Sequence, residues 1–521
     1  MISRRTVAAI ALLLGSTGAR AGKVDYTQAT IAPATSCSAA ELKDAAVKIA
    51  SARVVPATGS VPEHCRVSGT IDPEIGFEIN LPARWNGRFY MIGNGGMAGE
   101  SPDDPMRAMQ RDRALARGFA MASTDTGHDA RKRPLASFAL NNRESVINYA
   151  YRAVHLTAVT AKGLASRYYG RAPTRAYWES CSTGGRQGLI EAQRFPADFD
   201  GIVAGAPVAD FVGTTIGGVA TGRALRDVPL TPAKLERIAT AVYAKCDAMD
   251  GLQDGLIDDP RRCTFDPAKD VPACAAGVDD ASCLTPAQAA ALKTVYGDVL
   301  RQGKRLAFGV PVGAEKAALL RMPGAPPGVR ASGWIGTLVG PMGGPGFDAL
   351  IAESTLKFMV FGASTYDPSS FDVDRDVPRL EPLREILDAT NPDLSALRRR
   401  GGKLLLYHGW ADTVLMPGMS IDYYTSAQRA NAPNSHDFLR LYMVPGMFHC
   451  AGGYGPDEFD ALSAMVDWVE ADAAPAALIA TQREDGKVTR TRPLCPYPQV
   501  ARYAGKGSEN DAASFRCVTP P

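Results

Sequence analysis

The chain has 521 residues, a formal net charge of +2, 45% hydrophobic and 21% charged residues. That composition is soluble and globular, with enough apolar material for a large core. The near-neutral charge, without a long basic run or an acidic tail, excludes a nucleic-acid binder held by phosphate contacts. A chain of this length holds about two to four domains, or one enzyme domain with a large insertion.

In chain order, Arg4 and Arg5 precede an apolar run, Val7–Leu14, and small residues ending Ala19-Arg20-Ala21. This is the pattern of a secretory signal peptide over residues 1–21, cleaved after Ala21. The run is too short to span a bilayer, and no later segment is long and apolar enough, so no membrane partner is expected. Ser3-Arg4-Arg5 suits either a twin-arginine or an ordinary export signal. A secreted or periplasmic location follows. All ten cysteines lie beyond residue 21, and an even number suits an oxidising compartment. Pairing is not readable from sequence in general. Local spacing suggests Cys37 with Cys65, Cys246 with Cys263, Cys274 with Cys283, and Cys495 with Cys517, leaving Cys181 and Cys450.

Strands are predicted at Arg88–Ile92, Gly118–Ala122 and Arg175–Glu179, each followed by a turn of small residues. Helical spacing runs from about Glu144 to Leu164 and from about Gly184 to Arg194. The alternation resumes with strands Lys403–Tyr407 and Phe438–Val444 and an amphipathic helix over Asp457–Val469. Strand–helix alternation implies a parallel sheet covered by helices. Between about Asp210 and Pro392 proline and glycine become frequent, four cysteines cluster, and sheet-type alternation is lost. The expected organisation is therefore a signal at 1–21, one α/β domain in two parts at 22–209 and 393–521, and an insertion at 210–392.

Ser182 stands in Glu179-Ser180-Cys181-Ser182-Thr183-Gly184-Gly185, between a strand and a helix. A serine nucleophile on such a sharp turn needs small neighbours. The Thr183 N–H at the helix start is a candidate oxyanion donor. A second is expected from Gly93-Asn94-Gly95-Gly96, with Gly96 first and Gly95 second. A serine needs a base, and the chain has six histidines. His449 follows the strand ending at Val444, and Asp412 follows the strand ending at Tyr407. The order Ser, acid, His matches the α/β-hydrolase order. His128 and His408 are structural or pocket candidates; His64, His155 and His436 read as surface or capping residues. Cys181 adjoins the nucleophile and Cys450 adjoins the base, so a bond between them would tether the two directly. A Cys181 nucleophile is rejected, because a thiol would be oxidised in that compartment. Two free buried cysteines are the bland alternative.

Taken together these residues resemble the tannase and feruloyl esterase family of α/β-hydrolases. The resemblance rests on Cys181-Ser182 and His449-Cys450, on Gly93–Gly96, on Ser123-Thr124-Asp125-Thr126-Gly127-His128, on Cys181–Arg186, and on His408-Gly409-Trp410-Ala411-Asp412. It implies an α/β-hydrolase fold with a large inserted lid domain. It also implies a structural Ca2+ in the lid, at Cys246–Leu256, with carboxylates from Asp247, Asp250 and Asp254 and carbonyls from Leu252 and Leu256; the spacing is not that of an EF-hand. No organic cofactor is implied. The implied substrates are small esters of aromatic acids, feruloyl, hydroxycinnamoyl or galloyl, with a terephthalate monoester as the alternative. The stretch from Trp334 through Lys357 contains no arginine to meet a free carboxylate, and Arg330 lies before it. Trp334 and His408 are candidate walls of the substrate pocket, and Trp334 equally suits a lid core. A serine peptidase or a non-catalytic secreted binding protein on the same fold are the rival readings.

Overall fold

Short runs rich in Val, Ile, Phe, Leu and Tyr favour extended backbone, and in the computed structural model nine of them form one sheet. The structure describes residues 23–316, 320–321, 330–331, 333–340 and 345–520; the expected signal peptide, residues 1–21, lies outside them. The strands are β1 (Val47–Val55), β2 (His64–Ile71), β3 (Ile75–Pro82), β4 (Arg88–Ile92), β5 (Ala120–Thr124), β6 (Arg175–Cys181), β7 (Gly201–Gly205), β8 (Lys403–Gly409) and β9 (Leu439–Val444). Across the sheet they lie in the order β1-β2-β3-β5-β4-β6-β7-β8-β9. β1, β2, β3 and β5 pair antiparallel, and from β5 to β9 all pairs are parallel.

The longer helices are α1 (Pro105–Ala116), α2 (Ala153–Tyr169), α3 (Thr183–Arg194), α4 (Phe211–Leu225), α5 (Pro232–Cys246), α6 (Phe347–Thr355), α7 (Gly418–Ala430) and α8 (Ala461–Ala471). Strand alternation sends Trp178, Leu404 and Leu406 to one face, where they pack with Ala158, Leu189 and Ile421 of α2, α3 and α7. Tyr177 and Leu405 point to the other face and meet Ala114 and Met465 of α1 and α8. A sheet covered on both faces buries its central strands throughout, and β7 is buried at every position.

Among the described residues, no strand between β7 and β8 joins this sheet. That interval holds α4, α5 and α6, a hairpin of Val299–Arg301 with Lys304–Ala307, and a core around Leu235, Val242, Leu292 and Trp334. The architecture is an α/β-hydrolase fold with an inserted subdomain. Two C-terminal ribbons, Leu478–Glu484 with Lys487–Leu494 and Val500–Tyr503 with Phe515–Val518, were not expected from sequence.

Local physics explains where elements differ from expectation. β5 starts at Ala120 rather than Gly118, because Gly118 sits at φ 79° in the turn after α1. The expected helix from Glu144 is broken into Arg143–Ile147, a π-turn at Asn148–Arg152, and α2. The last helix starts at Ala461 rather than Asp457, because the Asp460 carboxylate caps it by accepting from the Ser463 N–H. His64 is not a surface residue but lies buried in β2, its Nδ1 against the Pro62 carbonyl.

One buried charge stands out far along α3. Glu191 is fully buried, and no donor meets either carboxylate oxygen among the described residues. It gathers with His155 and Asp198 within 4.8 Å. Asp198 is already paired with Lys162 at 3.2 Å and bonded to His155 at 2.6 Å, which argues against a cation site. Burial first, and then the Asp198 charge, push Glu191 well above the usual carboxylate range. A carboxyl held neutral in the fold binds its proton more tightly than the unfolded chain does. Stability therefore falls as pH climbs above the unfolded value of about 4.3. Glu191→Gln removes that slope. Denaturant unfolding should find it equal to wild type near pH 4 and more stable at pH 8, by about 1–3 kcal/mol; a loss at pH 8 would contradict a neutral Glu191.

Candidate active site

β6 ends at Cys181 and α3 begins at Thr183, so Ser182 carries the whole reversal of the chain, at φ 65° and ψ −126°. A non-glycine residue in that region is strained and persists only where its surroundings hold it. Here the Ser182 N–H donates to the Gly205 carbonyl at 3.0 Å. Close approach explains the glycines: a Cβ on Gly184 would lie 2.0 Å from Ser180 Oγ, and one on Gly93 would lie 2.7 Å from the Gly184 Cα. The oxyanion-loop candidate and the elbow thus touch backbone to backbone.

β9 ends at Val444, and the following loop delivers His449. Its Nε2 lies 2.9 Å from Ser182 Oγ, and its Nδ1 lies 2.8 Å from Asp412 Oδ2. That geometry suits Nδ1–H donating to the carboxylate and Nε2 accepting the serine proton. Asp412 is fully buried beyond β8. Its Oδ1 accepts the Val414 N–H at 2.9 Å and the Leu415 N–H at 3.0 Å. Burial alone pushes this carboxyl up, but His449 and His408 outweigh it and hold Asp412 well below the usual carboxylate range. Its charge is thereby favoured next to His449.

Cys181 and Cys450 are bonded, with S–S 2.05 Å and Cα–Cα 5.8 Å across a sequence separation of 269. The other four bonds are Cys37–Cys65, Cys246–Cys263, Cys274–Cys283 and Cys495–Cys517. The Cys181–Cys450 bond joins the residue before Ser182 to the residue after His449.

Thr183 and Gly96 both line the site, and neither backbone N–H donates to a backbone acceptor outside regular elements among the described residues. Gly95 and Asn94 are otherwise engaged. The Gly95 N–H donates to Glu100 Oε1 at 2.7 Å and the Asn94 N–H to Gln187 Oε1 at 2.9 Å. The Gly96 carbonyl accepts from the Thr183 hydroxyl and, at 3.0 Å, from the Tyr149 hydroxyl. Gly96 is pinned on both sides with its N–H left over, which favours it over Gly95. Arg186 extends this brace. Fully buried, it donates to the Tyr149, Ala150 and Leu387 carbonyls and lies over the Tyr149 ring. Glu100, Tyr149 and Arg186 act through backbone groups, and short-range spacing carried no signal of that.

A cavity of about 790 Å³ opens over Ser182 and His449, walled by the lid residues Phe347, Asp348 and Ile351 and by Leu415 and Met419. Two expected walls are elsewhere. Trp334 does not line the cavity; it is fully buried in the lid core, its ring 5.6 Å from that of Tyr296. A large apolar ring gains more from that core than from a solvent-filled pocket. His408 is not a wall either. It is fully buried behind the triad, with Nδ1 2.7 Å from Ser420 Oγ and Nε2 2.8 Å from the Leu415 carbonyl and 3.2 Å from Asp412 Oδ2. It positions the acid rather than the substrate. His128 is buried and stacked on Phe138 at 4.1 Å, and burial holds it down at about 4, so it stays neutral.

The Cys246–Leu256 loop bends through Gly251 and Gly255, both at positive φ. Asp247 accepts the Gly255 N–H at 3.1 Å, Asp250 the Leu252 N–H at 2.9 Å, and Asp254 the Leu256 N–H at 3.2 Å. Asp258, absent from the expected set, is pushed well up by burial and by Asp250. Burial raises Asp247 and Asp250 as well, with Asp254 adding to both. Carboxylates on a tight loop suit a hard divalent cation, although the ligand oxygens of Asp247, Asp250 and Asp254 do not all lie within 4.8 Å of one another here. Asp254 Oδ2 is also held by Arg492 at 2.6 Å.

Replacing both Cys181 and Cys450 by serine tests the tether. Thermal unfolding should show a loss of roughly 3–5 kcal/mol. Steady-state kinetics should show kcat down about tenfold to a hundredfold with KM little changed. An unaltered kcat would mean that packing alone holds Ser182 against His449.

Comparison with known proteins places this geometry. The model of the family described as tannase and feruloyl esterase matches residues 58–518. An uncharacterized esterase of Xanthomonas campestris pv. campestris is 36% identical over 99% of this chain and 94% of its own length. Mono(2-hydroxyethyl) terephthalate hydrolase of Piscinibacter sakaiensis is 35% identical over 91% of this chain and 89% of its own. The crystal structure of feruloyl esterase B from Aspergillus oryzae superposes with a TM-score of 0.80 at 28% identity, covering 92% of this chain and 98% of the other. With the family model spanning most of the chain and relatives above the 30% level along nearly all of it, this protein belongs to the tannase and feruloyl esterase family.

Proposed function

We propose that Ser182, His449 and Asp412 hydrolyse carboxylic esters of aromatic acids, of feruloyl, hydroxycinnamoyl or galloyl type, inside the cavity under a lid at residues 210–392. The observation that carries this is the unbroken chain from Ser182 Oγ to His449 Nε2 at 2.9 Å and from His449 Nδ1 to Asp412 at 2.8 Å. His449 takes the serine proton as Oγ attacks the ester carbonyl. The Thr183 and Gly96 N–H groups receive the oxyanion. The imidazolium then protonates the departing alcohol, and water, deprotonated by the same base, releases the acid. A complete triad beneath a cavity speaks for an esterase over a non-catalytic binding protein.

The aromatic acyl group is supported by the apolar walls of the cavity and by feruloyl esterase B among the relatives. The likeness to the terephthalate hydrolase favours the monoester as a second reading; the absence of arginine from Trp334 through Lys357 weighs against it. Five disulfides suit an oxidising location, and the N-terminal residues support export to the periplasm or beyond. Among the described residues no helix is long and apolar enough to cross a membrane.

Hydrolysis of methyl ferulate, methyl gallate, chlorogenate and terephthalate monoester, followed by product release, tests the reading. Wild type should cleave at least one aromatic ester, and Ser182→Ala should lose activity by about 10³-fold or more; full activity in that variant would end the mechanism.

For the lid loop we propose a structural Ca2+ held by the carboxylates of Asp247, Asp250 and Asp254 and the carbonyls of Leu252 and Leu256, where its charge would offset the crowding of acids. Chelation should lower the melting temperature by about 2–5 °C, and added Ca2+ should restore it. A melting temperature indifferent to both treatments would reject the ion.

A further inference from the structure

Asp348 is a carboxyl for which the fold provides no use. It lies in the first turn of α6, but the helix is capped at Gly346 without a side-chain bond, and Asp348 caps nothing. Among the described residues neither carboxyl oxygen makes a hydrogen bond or an ion pair; Oδ1 is sealed from solvent, and the residue as a whole is half-buried, so Oδ2 is the oxygen left to meet a ligand. A buried acceptor left unmet costs about 1–3 kcal/mol, so the position needs a reason. The side chain lines the same cavity as Ser182 and His449. The cavity is lined as well by Phe347, Ile351 and Ala352 from its own helix, by Leu415 from the loop beyond Asp412, and by Thr214 and Thr221 of α4. The helix is set close, since a Cβ on Gly218 of α4 would lie 2.9 Å from the Asp348 carbonyl oxygen. Phe347 and Ile351 suit a flat ring, and Asp348 adds a carboxyl beside them.

We propose that Asp348 is the specificity-determining residue that hydrogen-bonds an oxygen substituent on the ring of the aromatic acyl group, distinguishing phenolic and methoxylated acids from bare cinnamoyl or benzoyl ones. The inference rests on the aromatic-ester reading of this cavity. Burial, and after it the charge of Asp412, push the Asp348 carboxyl well above the usual range. In that neutral form it donates through its O–H and accepts through its C=O, so it serves a phenol in either direction and a methoxy oxygen as acceptor. A site built to bond a hydroxyl discriminates strongly against the analogue lacking it, because the buried polar group is then left unpaired.

The test is steady-state kinetics of wild type, Asp348→Asn, Asp348→Leu and Asp348→Ala on methyl ferulate, methyl p-coumarate, methyl gallate and methyl cinnamate, the last carrying no ring oxygen. Leu and Ala should lose about tenfold to a hundredfold in kcat/KM on the three oxygenated esters. They should stay within about threefold of wild type on the cinnamate. Asn, isosteric and neutral, should keep the wild-type ratio of ferulate to cinnamate. An equal loss on all four esters, or no loss on any, overturns the role of Asp348 while leaving the esterase intact. A collapse of Asn on the oxygenated esters alone overturns the neutral-acid form of the contact. Wild type inactive on all four esters, at the level of Ser182→Ala, overturns the aromatic-ester reading and Asp348 with it.

Discussion

The Cys181–Cys450 bond is the constraint on which the rest of the site depends. Ser182 is carried by β6 and His449 by the loop after β9, separated across the sheet by β7 and β8. A serine–imidazole hydrogen bond tolerates only a few tenths of an ångström of error before the proton transfer suffers. The two groups sit on loops at the ends of different strands, and loops are the mobile parts of a fold. A covalent link one residue from each reacting group removes most of the freedom that would matter. It also leaves Ser182 itself free to occupy its strained turn, because strain at one residue persists when its neighbours are fixed.

Around that link the chain spends its buried polar groups on orientation. Asp412 is oriented by two backbone N–H groups and by His408, whose other nitrogen is fixed by Ser420. The Gly93–Gly96 loop is fixed by Glu100 on one side and by Thr183 and Tyr149 on the other. Arg186, fully buried, joins α3 to the Tyr149 segment through the Tyr149 and Ala150 carbonyls and to the insert through that of Leu387. Preorganised donors of this kind need no rearrangement as charge develops, which is why they stabilise a transition state better than water does. The π-turn at Asn148–Arg152 belongs to the same device, since it is the irregular stretch that carries Tyr149.

The lid answers a different demand. The sheet and its loops carry Ser182, His449 and Asp412, while the insert supplies walls of the cavity above them. Its own core, around Trp334 and α5, makes it a solid wall rather than a loose flap. Cys246–Cys263 and Cys274–Cys283 close its two loop-rich stretches, where few regular elements are available to bury surface.

What the sequence determined by itself was the set of residues whose chemistry is local. The strand-before-turn pattern around Ser182, the Cys-Ser and His-Cys neighbours and the acid after β8 are readable because strand, turn and motif lie within a few residues of one another. Small loops also limited the choice of cysteine partners. The antiparallel start of the sheet, β1 to β3, was not legible, because edge strands mix polar and apolar residues and their pairing is settled only by the partner strand. Trp334 and His408 were misplaced for a related reason: sequence shows that a side chain is near a motif, not which way it faces. Tertiary structure alone decided that Trp334 turns into the lid core, that His408 stands behind the acid, and that Asp348 is left facing the substrate cavity without a partner. Direction and burial are properties of the packed chain, set by contacts between segments hundreds of residues apart, and no local spacing encodes them.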